Sequence, residues 1–416
     1  MADPLVDYLH RCVAAQQVDI RRLHKALHVC VEDVATLRDC LADAGLLRPE
    51  LFLAQLHRRS FAAARAVHCF MPDVRFDDAL HIDKITLAVS LYCGPGCLRS
   101  LGQVSKAINS ASGLIWPTLK DLCPGHIYVC GGGPDDRQSL TTAARFSPGT
   151  GLWEALPRMM ERRAYAAAGI LGGRLYICGG SSNGVEGPLL SSMERFNPGA
   201  GGALGTWEAM PPMSVAKKAA SAAVVSGKLY VCGGVNDDMH TLAAVECFNP
   251  ARMEWQATSP MLERRGYPVA CAMHGRLYVC GGRDRGRLLN SAEVFDPFSG
   301  VWLEVPPMSE RRAAAAAATM TGKVYVCGGW SGQQALNSAE CFNPQFGAWE
   351  IVPQMIVGRS FAAAVGATAR LYVFGGFSGG SGLNSAEVFD PETGIWTALP
   401  PMAERRAGVV AAVALW

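Results

Sequence analysis

The stretch Ile127-Tyr-Val-Cys-Gly-Gly132 decides the fold, because it returns as Leu175 to Gly180, Leu229 to Gly234, Leu277 to Gly282, Val324 to Gly329 and Leu371 to Gly376. After each Gly pair comes an Asn/Asp/Ser-Pro turn: Ser147-Pro148, Asn197-Pro198, Asn249-Pro250, Asp296-Pro297, Asn343-Pro344 and Asp390-Pro391. A tryptophan follows each turn, at Trp153, Trp207, Trp255, Trp302, Trp349 and Trp396, with spacings of 54, 48, 47, 47 and 47 residues. Within one period the apolar runs are short, β-branched or aromatic, and cut by Gly and Pro turns. That fits four strands and leaves no room for helices. A period of about 50 residues holding four strands is a propeller blade.

The chain ends supply a second line of argument. The first copy lacks the Ala-rich strand that precedes the others and has Trp116-Pro-Thr-Leu-Lys-Asp-Leu-Cys-Pro124 in its place. The missing strand stands at the other end, as Ala407-Gly-Val-Val-Ala-Ala-Val-Ala-Leu-Trp416. The C-terminal strand is therefore expected to close blade one, which abolishes a free sheet edge.

The order Gly-Gly, Ser385-Ala-Glu-Val-Phe-Asp-Pro391, Trp396, Pro400-Pro-Met402 and Arg405-Arg406, repeated over residues 126–416, resembles the kelch repeat. The resemblance implies an all-β six-bladed kelch β-propeller, here preceded by a small α-helical N-terminal region. Most repeated residues read as scaffold. The Gly pairs allow a tight turn and close approach of blades, and no Lys-Ser/Thr or helix follows them as a phosphate loop requires. Cys130, Cys178, Cys232, Cys280 and Cys327 share one repeat position with Phe374, a small buried apolar site. The tryptophans, with Met308, Met355 and Met402, read as blade packing. Glu194, Glu246, Glu293, Glu340 and Glu387 recur on the third strand, with Ala144 breaking the series, and are expected to form a buried ion pair with a neighbouring arginine.

Two features point to a binding face. Sixteen residues before each Gly pair stands a basic residue: Arg163, Lys217, Arg265, Arg312, Arg359 and, by register of the closing strand, Arg406. Strand alternation puts this ring on the same face as the loops after the Gly pairs, which differ from blade to blade as binding loops do. Those loops carry Asp237, Asp238, Arg283, Arg285, Arg287, Trp330 and Phe377. In kelch propellers this is the usual peptide-binding face, so the resemblance implies a protein or peptide ligand. The basic ring favours an acidic one, gripped by charge-assisted bonds, unless the ring is spent on the strand-three glutamates. The loop arginines, being outside the repeat, escape that alternative.

Composition narrows the function classes. A formal charge of +2 over 416 residues offers no overall field for nucleic acid or an anionic bilayer. The longest uncharged apolar run, Ala407 to Trp416, is about half the ~18 residues that span a membrane, and no signal-peptide pattern opens the sequence. Fifteen cysteines, an odd number spread over a large chain, are expected to be reduced thiols in cytoplasm or nucleus. A galactose-oxidase-like copper site would need converging ligands, and His126, His240 and His274 share no repeat position. No catalytic residues, metal or cofactor are therefore expected.

The N-terminal part reads as helical. Apolar residues at Leu5, Leu9, Cys12, Ile20, Leu23, Leu27, Cys30, Val34, Leu37 and Leu41, with Gln16 interrupting, alternate steps of three and four, and Gly45 with Pro49 stops the pattern before a second helix around Leu51 to Val67. Residues 1–70 are thus a helical hairpin or a coiled-coil-like element. Over 71–125, the leucines before Gly94-Pro95, the run Leu98, Leu101, Val104, Ser105, Lys106, and Trp116 with Leu119 are similar to the F-box. The usual opening Leu-Pro-x-Glu is replaced by Ile82-Asp-Lys-Ile85. Cys93, Cys97 and Cys123 lack a fourth ligand with zinc spacing. Together these features imply a non-enzymatic protein-interaction module, the substrate-recognition adaptor of a cullin-RING ubiquitin ligase that meets a Skp-type adaptor and cullin through its N-terminal helices. The rivals are a kelch scaffold that dimerises or binds a regulatory partner, and a small-molecule enzyme.

Overall fold

The computed structural model describes residues 125–198 and 205–414. The expected helices of residues 1–70 and the F-box-like segment over 71–125 fall, except for Gly125, outside them. The described residues form six four-stranded antiparallel sheets, each one blade. In blade five the strands run Ala316–Met320, Lys323–Cys327, Ala339–Asn343 and Ala348–Val352, paired in sequence order.

Burial explains the composition of each strand. The second strand is covered on both faces, as in Leu371, Tyr372, Val373 and Phe374, and so reads as an unbroken apolar run. The first strand alternates buried and half-buried residues, and the fourth, at the rim, is largely exposed. The cores lie between blades: Tyr128, Cys130 and Leu156 of blade one pack against Leu175, Ile177 and Phe196 of blade two. Each second-strand cysteine is buried and unpaired with another cysteine, and burial pushes the Cys130, Cys178, Cys280 and Cys327 thiols up to about 12.

Closure follows the sequence expectation. Val410–Ala414 pairs antiparallel with His126–Cys130, in the register His126↔Ala414 through Cys130↔Val410, so blade one takes its first strand from the end of the chain. Two hydrogen-bonding devices join every blade to the next. Each tryptophan donates its indole N–H to a carbonyl of the preceding blade's connector, Trp153 to Pro400 at 3.0 Å across the closure and Trp396 to Pro353 at 2.8 Å. The second glycine of each pair donates to the carbonyl of the next blade's basic residue, as Gly282 does to Arg312 at 2.9 Å. The first glycine lies closer still. At Gly281, φ is +62° and a Cβ would stand 2.4 Å from the Arg312 carbonyl oxygen, which excludes any other residue.

Candidate functional site on the loop face

The residue after each basic residue bridges the residue after a Gly pair, as in Ala164↔Ser181, Lys218↔Val235, Gly266↔Arg283, Ala313↔Trp330 and Ser360↔Phe377. The basic positions and the variable loops therefore share one face, the entry to strand one and the exit from strand two.

The ring itself is turned inward. Arg163, Lys217, Arg265, Arg312, Arg359 and Arg406 are each at most 4% exposed. Five of them pair with the strand-three glutamates: Arg163–Glu194 at 2.8 Å, Lys217–Glu246 at 2.5 Å, Arg265–Glu293 at 2.8 Å, Arg312–Glu340 at 2.9 Å and Arg359–Glu387 at 2.5 Å. Arg265 shows the usual arrangement, donating also to the carbonyls of Gly281 and Ser291 at 2.8 and 3.0 Å. Glu293 in turn accepts from the Leu262 and Glu263 amides. The expectation of a ring that grips a ligand is corrected on this geometry. These cations lock the start of strand one to strands two and three, and their polar atoms are directed into the blade.

Blade one departs from the pattern because Ala144 stands where the glutamate would be. Arg406 bonds Gly131 and Thr142 carbonyls and keeps only the half-exposed Glu404 as counter-charge, at 2.7 Å. Burial holds its guanidinium below the usual arginine range, offset only in part by Glu404. In blade three the burial of Glu246 would raise its carboxyl, but the Lys217 hydrogen bond and charge, with the Ser214 amide and hydroxyl, outweigh it and hold it below the usual carboxylate range. A carboxyl depressed in the folded state contributes stability that is complete above its unfolded value of about 4.3 and is lost as pH falls through the folded value. Acid titration of the thermal midpoint should therefore show a drop below about pH 4 that is shallower in Glu246→Gln; parallel curves would remove the pair from the account.

Inside the basic ring lies a second ring. Tyr165, Ala219, Tyr267, Ala314, Phe361 and Gly408 all adopt positive φ, between 52 and 64°. This is an unusual conformation for tyrosine, phenylalanine or alanine. Each amide donates to the carbonyl of its counterpart in the preceding blade, from Tyr165 to Gly408 at 2.8 Å around to Gly408 to Phe361 at 3.0 Å. The result is a closed cycle of hydrogen bonds about the central channel. Aromatic and small residues alternate along it. The three rings meet edge to face, Tyr165–Phe361 at 5.3 Å, Tyr267–Phe361 at 5.5 Å and Tyr165–Tyr267 at 6.5 Å, and plug the channel. A Cβ at Gly408 would stand 2.7 Å from the Tyr165 ring.

The variable loops cover the rest of the face. In blade four the arginines form a two-stranded hairpin, Arg283–Asp284 with Arg287–Leu288, turned at Arg285-Gly286. Arg285 and Arg287 are exposed. Arg283 is only half-exposed, because its backbone bridges Gly266 and its guanidinium lies over the Tyr267 ring, 5.0 Å from the centroid. Asp237 and Asp238 are exposed on the blade-three loop, Trp330 is 38% exposed and Phe377 half-buried. Between the loops of blades three and four opens a cavity of 440 Å³ lined by Val235, Met239, His240, Thr241, Arg264, Arg283, Arg285 and Gly286.

Arg264 was not singled out in the sequence, nor were its counterparts Arg162, Arg311 and Arg405. In each Glu-Arg-Arg run the first arginine is exposed and the second buried. The exposed ones rest on the loops, Arg162 on the Ser139 carbonyl at 3.3 Å, Arg311 on Leu288 at 3.0 Å and Arg405 on the Ser381 hydroxyl at 3.2 Å. Among the described residues no group of three or more His, Cys, Asp or Glu side chains is placed to hold a metal ion, and no helix is long and apolar enough to cross a membrane. His240 lies in the blade-three loop of this face, and His274 in a turn at the opposite one.

Known proteins place this architecture. The KLHDC2/KLHL20/DRC7 Kelch-repeats domain matches residues 204–356, and the Kelch motif matches residues 162–214 and 358–403. Kelch-like protein 33 of Homo sapiens is 30% identical over 165 residues, 39% of this chain and 30% of its own length. Kelch-like ECH-associated protein 1B of Danio rerio is 33% identical over 125 residues, 30% of this chain and 20% of its own. The match thus spans under a third of the length of either relative. The solved structure of YjhT aligns with a TM-score of 0.55 at 15% identity, over 67% of this chain and 98% of that one, a likeness of fold alone. With six closed blades, each carrying the Gly pair, the buried ion-paired cation and the stapling tryptophan, and with the two kelch models between them matching blades two to six, the chain belongs to the kelch-repeat β-propeller proteins.

Proposed function

We propose that the loop face holds an acidic segment of a partner protein without chemistry of its own. The observation that carries this is the set of arginines on that face, Arg264, Arg285 and Arg287, that are exposed and ion-paired to no carboxylate among the described residues. Unpaired guanidiniums beside a cavity offer charge-assisted bonds that a partner carboxylate can complete. The buried basic ring serves this face indirectly, by fixing the backbone from which the loops spring.

The chain is further proposed to be the target-recognising adaptor of a cullin-RING ubiquitin ligase, working in cytoplasm or nucleus. This half of the proposal rests on Leu98, Leu101, Val104, Ser105, Lys106, Trp116 and Leu119, outside the described residues. Affinity purification of the full chain with mass spectrometry tests it: recovery of a Skp-type adaptor and cullin supports it, and their absence beside other partners favours the scaffold reading.

The binding half is tested on a partner so recovered. Reversing Arg283, Arg285 and Arg287 to Glu should weaken its binding by about tenfold or more, as expected for lost charge-assisted bonds. Binding to the unaltered protein should also fall with added salt, because exposed charges are screened within about 8 Å at physiological ionic strength. Unchanged affinity by calorimetry on both counts would move the site to the opposite face or to the N-terminal residues. Arg283 also stacks on Tyr267, so the Arg285→Glu, Arg287→Glu double variant separates lost charge from a disturbed plug.

A further inference from the structure

The cavity between the loops of blades three and four has a charge balance of its own. Its lining includes three arginines and a histidine and no carboxylate. The nearest acid in the hairpin, Asp284, already accepts the Thr241 hydroxyl. A fourth cation adjoins it: Lys218 is buried, donates to the Val185 carbonyl, and is held below the usual lysine range by that burial and by the neighbouring Arg283 guanidinium, against the opposing charges of Glu186 and Asp237. Among the described residues Arg283 has no carboxylate within ion-pair distance, and its guanidinium lies over the face of Tyr267. The three guanidiniums come from two pieces of chain, Arg264 from the connector, and Arg283 and Arg285 from the base and tip of one hairpin.

A planar carboxylate has two oxygens and one negative charge, and a single guanidinium fork satisfies it. A phosphate monoester carries a charge between about −1.5 and −2 at neutral pH and three terminal oxygens pointing in different directions. It can therefore engage several guanidiniums at once. The 440 Å³ cavity is in the size range of small-ligand pockets, roughly 300 to 1,000 Å³. We infer that this cavity takes a phosphorylated side chain of the partner segment, with Arg264, Arg283 and Arg285 as its phosphate-binding residues. Met239 and Val235 supply apolar wall for the stem of that side chain. The inference rests on the reading of the loop face as a partner site and names the chemistry that one part of it selects.

The test uses the full chain and three acetylated, amidated Gly-Ala-X-Ala-Gly peptides, with X phosphoserine, glutamate or serine, so that no partner need be known. Binding is read by ³¹P and proton NMR titration. The phosphoserine peptide should bind about tenfold more tightly than the glutamate peptide, and the serine peptide not measurably. Arg264→Ala and Arg285→Asn, the latter chosen because asparagine tolerates the left-handed turn at that position, should each weaken the phosphoserine peptide severalfold with an unchanged thermal midpoint. Equal binding of the glutamate and phosphoserine peptides, no binding of either, or no effect of the two substitutions would overturn the phosphate inference. Equal binding leaves the acidic-segment reading standing, whereas that reading fails separately if a captured partner is indifferent to the hairpin variants and to salt.

Discussion

Removal of residues 408–416 is expected to abolish the single cooperative unfolding transition of the propeller. The closing strand Val410–Ala414 covers Ile127, Tyr128, Val129 and Cys130, each at most 1% exposed in the closed form. Without it, their backbone groups face water along a free edge, and the apolar seams to blades two and six open together. The same cut removes Gly408 and with it two links of the hydrogen-bonded cycle about the channel. A repeat protein gains most of its stability from interfaces between neighbours, and this truncation breaks the interface that makes the array circular. Calorimetry of the truncated chain should show a broad, low transition and dye binding at room temperature. A sharp transition at the original midpoint would mean that the blades do not need closure.

The other large effect is expected at the buried ion pairs. Glu293→Ala deletes the acceptor of the Arg265 Nε and of the Leu262 and Glu263 amides, while Arg265 stays at 1% exposure among carbonyls. Removing one partner of a buried pair typically costs about 3–5 kcal/mol, and here Arg265 would keep only the part-exposed Glu263 as counter-charge. Glu263 touches the same guanidinium at 3.1 Å but is 38% exposed, and Glu263→Ala should cost only about 0–1 kcal/mol. Urea denaturation of the two variants measures the contrast. Similar losses for both would show that burial does not set the value of these pairs.

That contrast bears on what could be read in advance. The Gly pairs, prolines and tryptophans were legible because a turn at positive φ, a tight approach and an interblade indole bond each admit few residue types, so they return at fixed spacing. The closing strand was legible because a missing element at one end matched a surplus at the other. The orientation of Glu-Arg-Arg was not. Both arginines recur, and it is the second whose carbonyl accepts from the preceding blade's glycine and whose side chain bonds into its own blade. A signal was nevertheless present: the second position is basic in all six copies and in five of them a glutamate stands four residues before the turn proline, whereas Ala216 and Gly358 interrupt the first. A position that tolerates loss of charge faces solvent, and one that does not faces a partner. The channel plug was missed for another reason. Aligned on the basic residue, its column reads Tyr, Ala, Tyr, Ala, Phe, Gly, which resembles drift until the cycle of hydrogen bonds shows that the residues are neighbours.

The alternation in that column makes the effective unit at the channel a pair of blades. Even-numbered blades contribute a ring and odd-numbered blades a space, so the centre has approximate threefold symmetry inside a sixfold rim. An odd number of blades could not alternate: somewhere two rings would compete for one space, or two small residues would leave a hole beside the plug. The axis thus counts blades by parity, a constraint that no single repeat carries. Adding or removing one blade of this propeller is a different structural problem from adding or removing two.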